Sequence, residues 1–252
     1  MKILLAPSES KKQGGENAFS LQDLLFAPLA PKRTQLLHQY INILQQNNLP
    51  TLGKMFGLKK EADIQKYQNL DIIHQGTCKA IERYTGVAFT YLAYDSLSPQ
   101  EKYYIDKQVL LFSNLFGAIR ADDLIPEYKL KQGEAIGDIK VEKYYKEYSS
   151  ALLDSYLESE EILDLRAGFY DKFYKPSKPY TSLKFIKNAK VVSHWAKAYR
   201  GIVLRHLAQN NIQTIEALIA SNIQGLALKE KKITKNKTEL IYEISDDTHK
   251  LT

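Results

Sequence analysis

The stretch Met1-Lys2-Ile3-Leu4-Leu5-Ala6-Pro7-Ser8 decides how this chain reads. Its apolar run falls short of the roughly 7–15 residues at the core of a signal peptide, and Pro7 and Ser8 end it. It fits a buried first strand. The continuation, Ala6-Pro7-Ser8-Glu9-Ser10-Lys11-Lys12, is a sharp exit from that strand. It would present hydroxyls, backbone N–H groups and a lysine at the carboxyl edge of a sheet, where α/β folds commonly bind ligands. Taken alone, the same turn reads as a solvated corner.

Outward from this strand, helical and strand-like segments alternate without strict βαβ regularity. Strand patterns cover Lys2–Ala6, Gly86–Tyr91, Glu161–Leu165, Ser182–Ile186 and Ala189–Ser193. A late hairpin joins Ala227–Ile233 to Glu239–Ile244, turning at Asn236 and Lys237. Helical patterns cover Thr34–Asn47, Glu61–Gln68, Ile72–Ile81, Pro99–Leu110, Tyr144–Leu157, Ala196–Gln209 and Thr214–Ala220. Ser98-Pro99-Gln100-Glu101 reads as a cap with proline at the first helical position. With no long linker, low-complexity tract or fixed-period repeat, the expected fold class is α+β, a single mixed α/β domain over residues 1–252.

The 252 residues are 44% apolar and 25% charged, a globular composition, and the single Cys78 excludes an internal disulfide or a four-cysteine zinc site. No apolar run approaches the roughly 20 residues that cross a bilayer, so the expectation is a cytoplasmic protein with no membrane partner. The net charge of +6 is unevenly spread. From Arg166 to Arg205 ten basic residues face Asp171 alone, a net +9, which leaves −3 for the remainder. Such local basicity suits an anionic partner if the charges also cluster in space, and solvated scatter if they do not.

Several chemistries are missing from the pattern. There is no phosphate loop, no G-x-G-x-x-G after a strand, no nucleophile elbow and no H-E-x-x-H. The histidines His38, His74, His194, His206 and His249 are too dispersed for a metal site, so no metal or cofactor is expected. His206, on the apolar side of its helix, reads as a packed histidine, and Cys78 as a buried, inert thiol.

Three further segments carry information. In Leu49-Pro50-Thr51-Leu52-Gly53-Lys54-Met55-Phe56-Gly57-Leu58-Lys59-Lys60, two short helices meet at an apolar–Gly–apolar turn followed by two lysines. This is the pattern of a helix-hairpin-helix element, in which N–H groups and lysines grip phosphates without reading sequence; a plain packing corner has the same pattern. In Leu115-Phe116-Gly117-Ala118-Ile119-Arg120, followed by Asp122 and Asp123, Arg120 suits either a phosphate or carboxylate ligand or a structural ion pair with those acids. In Ser193-His194-Trp195-Ala196-Lys197-Ala198-Tyr199-Arg200-Gly201-Ile202-Val203-Leu204-Arg205, a helix puts Lys197, Arg200, Gly201 and Arg205 on one side and an apolar core face on the other. Gly201 would leave room for a ligand backbone. The rings interleaved with these charges suit base stacking, although most are needed for packing.

Together these segments resemble the YaaA family of bacterial peroxide-stress proteins. Leu4-Leu5-Ala6-Pro7-Ser8-Glu9-Ser10-Lys11 is similar to the family's opening strand and Ser-Pro-Ser/Ala-x-Lys turn. Tyr84-Thr85-Gly86-Val87-Ala88-Phe89-Thr90-Tyr91-Leu92 resembles its Gly-x-Val-Tyr-x-Gly-Leu stretch, and Leu115 to Leu130 its Leu-Tyr-Gly-x-Leu-Arg block. Tyr170-Asp171-Lys172 resembles its Tyr-x-Lys, and Ser193 to Gly201 its Ser-x-x-x-Lys-x-x-Arg/Lys-Gly. Order and spacing hold over nearly the whole chain. Ala6, Ala121, Lys129 and Tyr91 stand where the family usually has serine, proline, arginine and glycine.

The resemblance implies a protein that limits iron-dependent oxidative damage to DNA, with duplex or distorted DNA held in a basic cleft and a helix-hairpin-helix element. The expected DNA-binding residues are Lys54, Gly57, Lys59 and Lys60 at the hairpin and Lys172, Lys175, Lys178, His194, Lys197, Arg200, Gly201 and Arg205 along the cleft, with Lys11 and Arg120 at its floor. A monomer is the favoured state. The alternative is an enzyme of unassigned reaction on a phosphorylated or nucleotide-like substrate, using Lys11, Arg120, Tyr170, Lys172, His194 and Lys197.

Overall fold

The computed structural model describes residues 1–188 and 190–245. Its main sheet is built from β1 (Lys2–Leu5), β2 (Val109–Ser113), β3 (Gly117–Arg120), β4 (Ile162–Asp164), β5 (Tyr180–Lys187), β6 (Lys190–Val191), β7 (Leu226–Thr234) and β8 (Lys237–Ile244). The order is β7-β8-β5-β4-β1-β2-β3, with β6 a short antiparallel addition to β5. Ile3, Leu4 and Leu5 are all buried, which an interior strand covered on both faces requires. Accordingly β1 lies between β4 and β2, parallel to both, with Leu5 beside Leu111 and Leu4 beside Asp164. Parallel pairing continues through β5 to β8, and besides the short β6 the edge strands β3 and β7 run antiparallel.

Apart from one short turn of helix at Ala80–Arg83, the helices are α1 (Ala30–Gln45), α2 (Leu49–Phe56), α3 (Glu61–Gln68), α4 (Val87–Leu92), α5 (Pro99–Gln108), α6 (Val141–Tyr156), α7 (Ser193–Gln209) and α8 (Ile215–Ala220). The fold is a mixed α/β domain whose central strands are parallel, more regular than the α+β pattern the sequence suggests. Ser98 caps α5 as expected, with Glu101 completing a capping box, and Thr214 caps α8. The strands expected at 161–165, 182–186, 227–233 and 239–244 all form. The segment expected as a strand over Ala189–Ser193 keeps only Lys190–Val191, Ala189 lies outside the described residues, and Ser193 opens α7.

Three expectations fail for identifiable reasons. Gly86–Tyr91, rich in β-branched and aromatic residues, folds as α4, because packing against α7 overrides its strand preference. Ile72–Ile81 is not one helix: the Asp71 carboxylate accepts the N–H groups of Ile73 and His74 and ties a turn, and Cys78 then pairs with Ile125. The apolar run after Gln108 hides β2 and β3, since a continuous apolar stretch has no period that separates strand from helix.

Two close-packed features hold these parts together. At Gly201 of α7, a Cβ would sit 2.9 Å from the carbonyl carbon and closer still to the carbonyl oxygen of Ala88 in α4, and 3.0 Å from the Leu92 nitrogen. The glycine lets two helix backbones touch, so it serves the α4–α7 crossing and leaves no room there for a ligand. Two arginines, Arg33 and Arg83, are almost wholly buried and donate to backbone carbonyls. Arg33 reaches Phe116, Ala118 and Leu25 at 2.7–2.9 Å, and Arg83 reaches Lys12, Gly76 and Ile125 at 2.5–3.2 Å.

Gly201→Ala should destabilise the protein in urea denaturation by about 1–3 kcal/mol, although alanine alone would favour the helix by about 1 kcal/mol. An unchanged or raised midpoint would refute the tight crossing. Arg83→Met keeps the volume but strands three carbonyls, and should cost about 3 kcal/mol or more by the same measurement. A loss under about 1 kcal/mol would mean that the guanidinium is dispensable.

Candidate functional site

Beyond β1 the chain turns at Ala6-Pro7-Ser8 and runs back as an isolated bridge between Lys11 and Tyr84, with the Lys12 N–H donating to the Arg83 carbonyl. Beyond β4, Arg166 doubles back on Asp164 through a buried ion pair at 2.7 Å and donates to the Tyr170 carbonyl. Both segments therefore close over the carboxyl edge of the sheet. Between them, α4 and α7 is a cavity of about 430 Å³ lined by Ser8, Glu9, Val87, Tyr170, Lys197 and Arg200, with Gln132 at its side. Arg200 also borders a second cavity of about 200 Å³ that holds Ser182, Lys184 and Asp171. The parallel sheet thus places its cavity at the edge where the opening turn was expected to present ligand-binding groups.

The electrostatics of this edge are unbalanced. Among the described residues, neither Lys197, which is exposed, nor Arg200, which is half-buried, has a carboxylate within 4 Å. Burial pushes the Arg200 guanidinium below its usual pKa, with Asp164 opposing. Tyr170 stays a neutral phenol, since burial raises its pKa, and its hydroxyl lies 3.3 Å from Asn114 Oδ1. Lys11 is partly exposed, and its Nζ lies 4.0 Å from the Tyr128 ring centroid and 5.3 Å from that of Tyr84. Its only hydrogen bonds among the described residues are long ones to the carbonyls of Ser8 and Glu9, at 3.4 and 3.5 Å. Burial and then Lys129 bring its pKa down to about 7, against weaker opposition from Glu9 and Glu127.

The hairpin stands beside this cavity. Gly57 ends α2 with φ 68°, the left-handed turn expected of a helix C-cap, and its N–H and that of Leu58 close back on Gly53 and Lys54. Lys131 packs on Gly57 and donates its N–H to Met55, and the next residue is the cavity-lining Gln132. Lys54, Lys59 and Lys60 are exposed. The first turn of α3 carries Glu61 and Asp63, however, which already face its positive end. A phosphate at this turn would rely on the lysine side chains more than on the helix N-terminus.

Other expected residues are placed elsewhere. Arg120 extends toward the amino edge of the sheet, where its Nε binds Asp122 at 2.7 Å alongside Lys107; it takes the structural ion-pair role and is absent from the cavity floor. Lys178 donates to the carbonyls of Leu157, Glu158 and Glu160, tying off the end of α6 at that same amino edge. Arg205 donates to Leu92, Ala93 and Ser96 and caps α4. Lys172 and Lys175 are exposed on the turn after Tyr170, with Lys172 Nζ 4.9 Å from the Phe169 ring. The side chain of His194 lies outside the described residues. His206 is packed as expected, its Nε2 buried.

Sequence reasoning missed Glu9, Lys129 and the phenol pair of Tyr84 and Tyr128, whose hydroxyls meet at 2.9 Å with Ser113 at 2.8 Å from Tyr128. Lys129 Nζ lies 3.8 Å from Glu9, so both groups flank Lys11. The available signal was that a cation persists at position 129, where the family has arginine.

The family model described as Peroxide stress protein YaaA matches residues 1–232. An uncharacterized protein of Campylobacter jejuni is 46% identical over 98% of this chain and 100% of its own. A UPF0246 protein of Corynebacterium efficiens is 32% identical over 90% of this chain and 91% of its own, and one of Shewanella pealeana 29% identical over 96% and 99%. With a sheet and cavity built from the same motifs that carry the resemblance, the chain belongs to the YaaA peroxide stress protein family, UPF0246.

Proposed function

We propose that this protein binds DNA, duplex or distorted, through the phosphate backbone and largely without reading sequence, and so limits iron-dependent oxidative damage in the peroxide stress response. One observation carries the reading: Lys197 and Arg200, cavity-lining cations that lack carboxylate partners among the described residues, follow on from the hairpin lysines Lys59 and Lys60 through Lys131 and Gln132. Such a track suits a polyanion, because each phosphate bound by a cation releases condensed counterions. Lys178, Arg205 and Arg120 are excluded from it by their structural bonds.

A second reading, an enzyme acting on a phosphorylated or nucleotide-like substrate, is favoured by the cavity itself. At about 430 Å³ it exceeds what one phosphate group needs, and it joins a phenol, a carboxylate and two cations.

Fluorescence anisotropy of a labelled duplex at several salt concentrations tests the first reading. Affinity should fall steeply with salt, and Lys197→Ala with Arg200→Ala should lower the log–log slope by about 2, since each cation neutralises one phosphate. Lys178→Ala should leave the slope unchanged. Weak binding that ignores salt would overturn the proposal.

A further inference from the structure

The larger cavity at the carboxyl edge carries opposite charges on two parts of its lining. On the hairpin side, the Glu9 carboxylate accepts the Gln132 N–H at 3.2 Å and lies 3.8 Å from Lys129. Its side chain is still 47% exposed, and each carboxylate oxygen has a second lone pair with which to accept. On the side of β4 and β5, Lys197 and Arg200 have no carboxylate within 4 Å among the described residues, and Arg200 feels Asp164. Arg200 also borders the adjoining cavity of about 200 Å³, where Lys184 likewise has no carboxylate within 4 Å among the described residues. The acids of that smaller cavity are drawn to other cations: Asp164 to Arg166 at 2.7 Å, Glu239 to Lys237 at 2.9 Å, and Asp171 to Arg166 at 3.9 Å. Much of the remaining lining of the larger cavity is apolar, with Pro7, Val87 and Phe89. A flat apolar body with hydrogen-bond donors on one edge and an anion at the other end would satisfy all of these groups.

We propose that this cavity binds a guanine nucleotide, its base edge on Glu9 and its phosphate on Lys197 and Arg200, toward Lys184. An ionised carboxylate only accepts hydrogen bonds, so Glu9 selects a base edge that presents donors. Guanine presents two side by side, N1–H and the 2-amino group, and one carboxylate takes both. Adenine presents a single amino group beside an acceptor nitrogen, which the carboxylate repels. At the other end, the Arg200 fork and the Lys197 ammonium supply charge-assisted bonds to phosphate oxygens. A volume of about 430 Å³ falls in the range of small-ligand sites, roughly 300–1,000 Å³, that combine apolar walls with a few polar anchors. A free nucleotide and an unpaired guanine in a strand present this same chemistry. The inference rests on the second reading above for a nucleotide-like ligand, and it requires binding without requiring turnover.

Isothermal titration calorimetry of the full-length protein with guanosine monophosphate, adenosine monophosphate, guanosine and ribose 5-phosphate tests this. Guanosine monophosphate should bind about tenfold or more tighter than each of the others, which lack either the donor pair or the phosphate. Glu9→Gln should erase the preference for guanosine over adenosine monophosphate, because an amide offers one acceptor and one donor, and should leave ribose 5-phosphate binding unchanged. Lys197→Ala should weaken guanosine monophosphate about tenfold and leave guanosine unchanged. Both side chains are exposed, and circular dichroism should show both variants folded. An oligothymidine carrying one guanine, titrated beside the all-thymidine strand, separates the sources: a gain from the single guanine marks a strand-borne ligand, and no gain a free one. Equal affinity of the wild-type protein for the two monophosphates would overturn the proposal. Ribose 5-phosphate binding as tightly as guanosine monophosphate would also overturn it, while leaving the phosphorylated substrate of the second reading standing. No binding of any of the four would overturn both. Guanosine monophosphate that binds and is recovered unchanged by chromatography would count against the enzyme reading and leave the guanine site standing.

Discussion

Arg83 sits fully buried with its guanidinium turned onto three backbone carbonyls from three separate segments: Lys12 after the first strand, Gly76 in the turn before the Cys78–Lys79 strand, and Ile125 after β3. Each of these segments has at most a short bridge or two-residue pairing of its own, so no long hydrogen-bond ladder holds its position. A buried charge is tolerable only where its donors are satisfied, and these carbonyls would be orphaned without it. The interaction therefore fixes the path of residues 6–12, and with it Ser8, Glu9 and Lys11. Arg33 does the same on the far side, joining Leu25 to Phe116 and Ala118 on either side of Gly117.

The two edges of the sheet differ in how their charges are met. At the amino edge the N-terminus and Lys2 meet Glu160, Lys107 and Arg120 share Asp122, and Lys178 caps carbonyls. At the carboxyl edge, Lys11, Lys197 and Arg200 have no such partner among the described residues. Clustering in the sequence did not predict this division. Among the basic residues between Arg166 and Arg205, Arg166, Lys178 and Arg205 are bound by protein groups, whereas Lys197 and Arg200 line the cavity.

What could be read beforehand follows from physics that is local. Alternation and capping marked the late hairpin, α3, α5 and α8, because their periods and end residues act within a few positions. The segment at 86–92 resisted because its conformation is chosen by Gly201, more than a hundred residues away. For the site, the exit turn, Tyr170, Lys197 and Arg200 were legible as chemistry. Glu9 and Lys129 were not, since only the fold brings positions 9, 11 and 129 together. Arg120 and Gly201 carried the right residue types for a ligand site, but local partners claimed them first.

The same guanidinium that fixes the exit segment also adds to the positive field around Lys11, and Lys129 adds more. Stability alone would favour another carboxylate there, as at the amino edge. The sequence instead supplies the ring faces of Tyr128 and Tyr84, 4.0 and 5.3 Å from Nζ, whose cation–π attraction offsets part of that field. An anion in the cavity beside Lys197 and Arg200 would offset cations that have no carboxylate partner among the described residues.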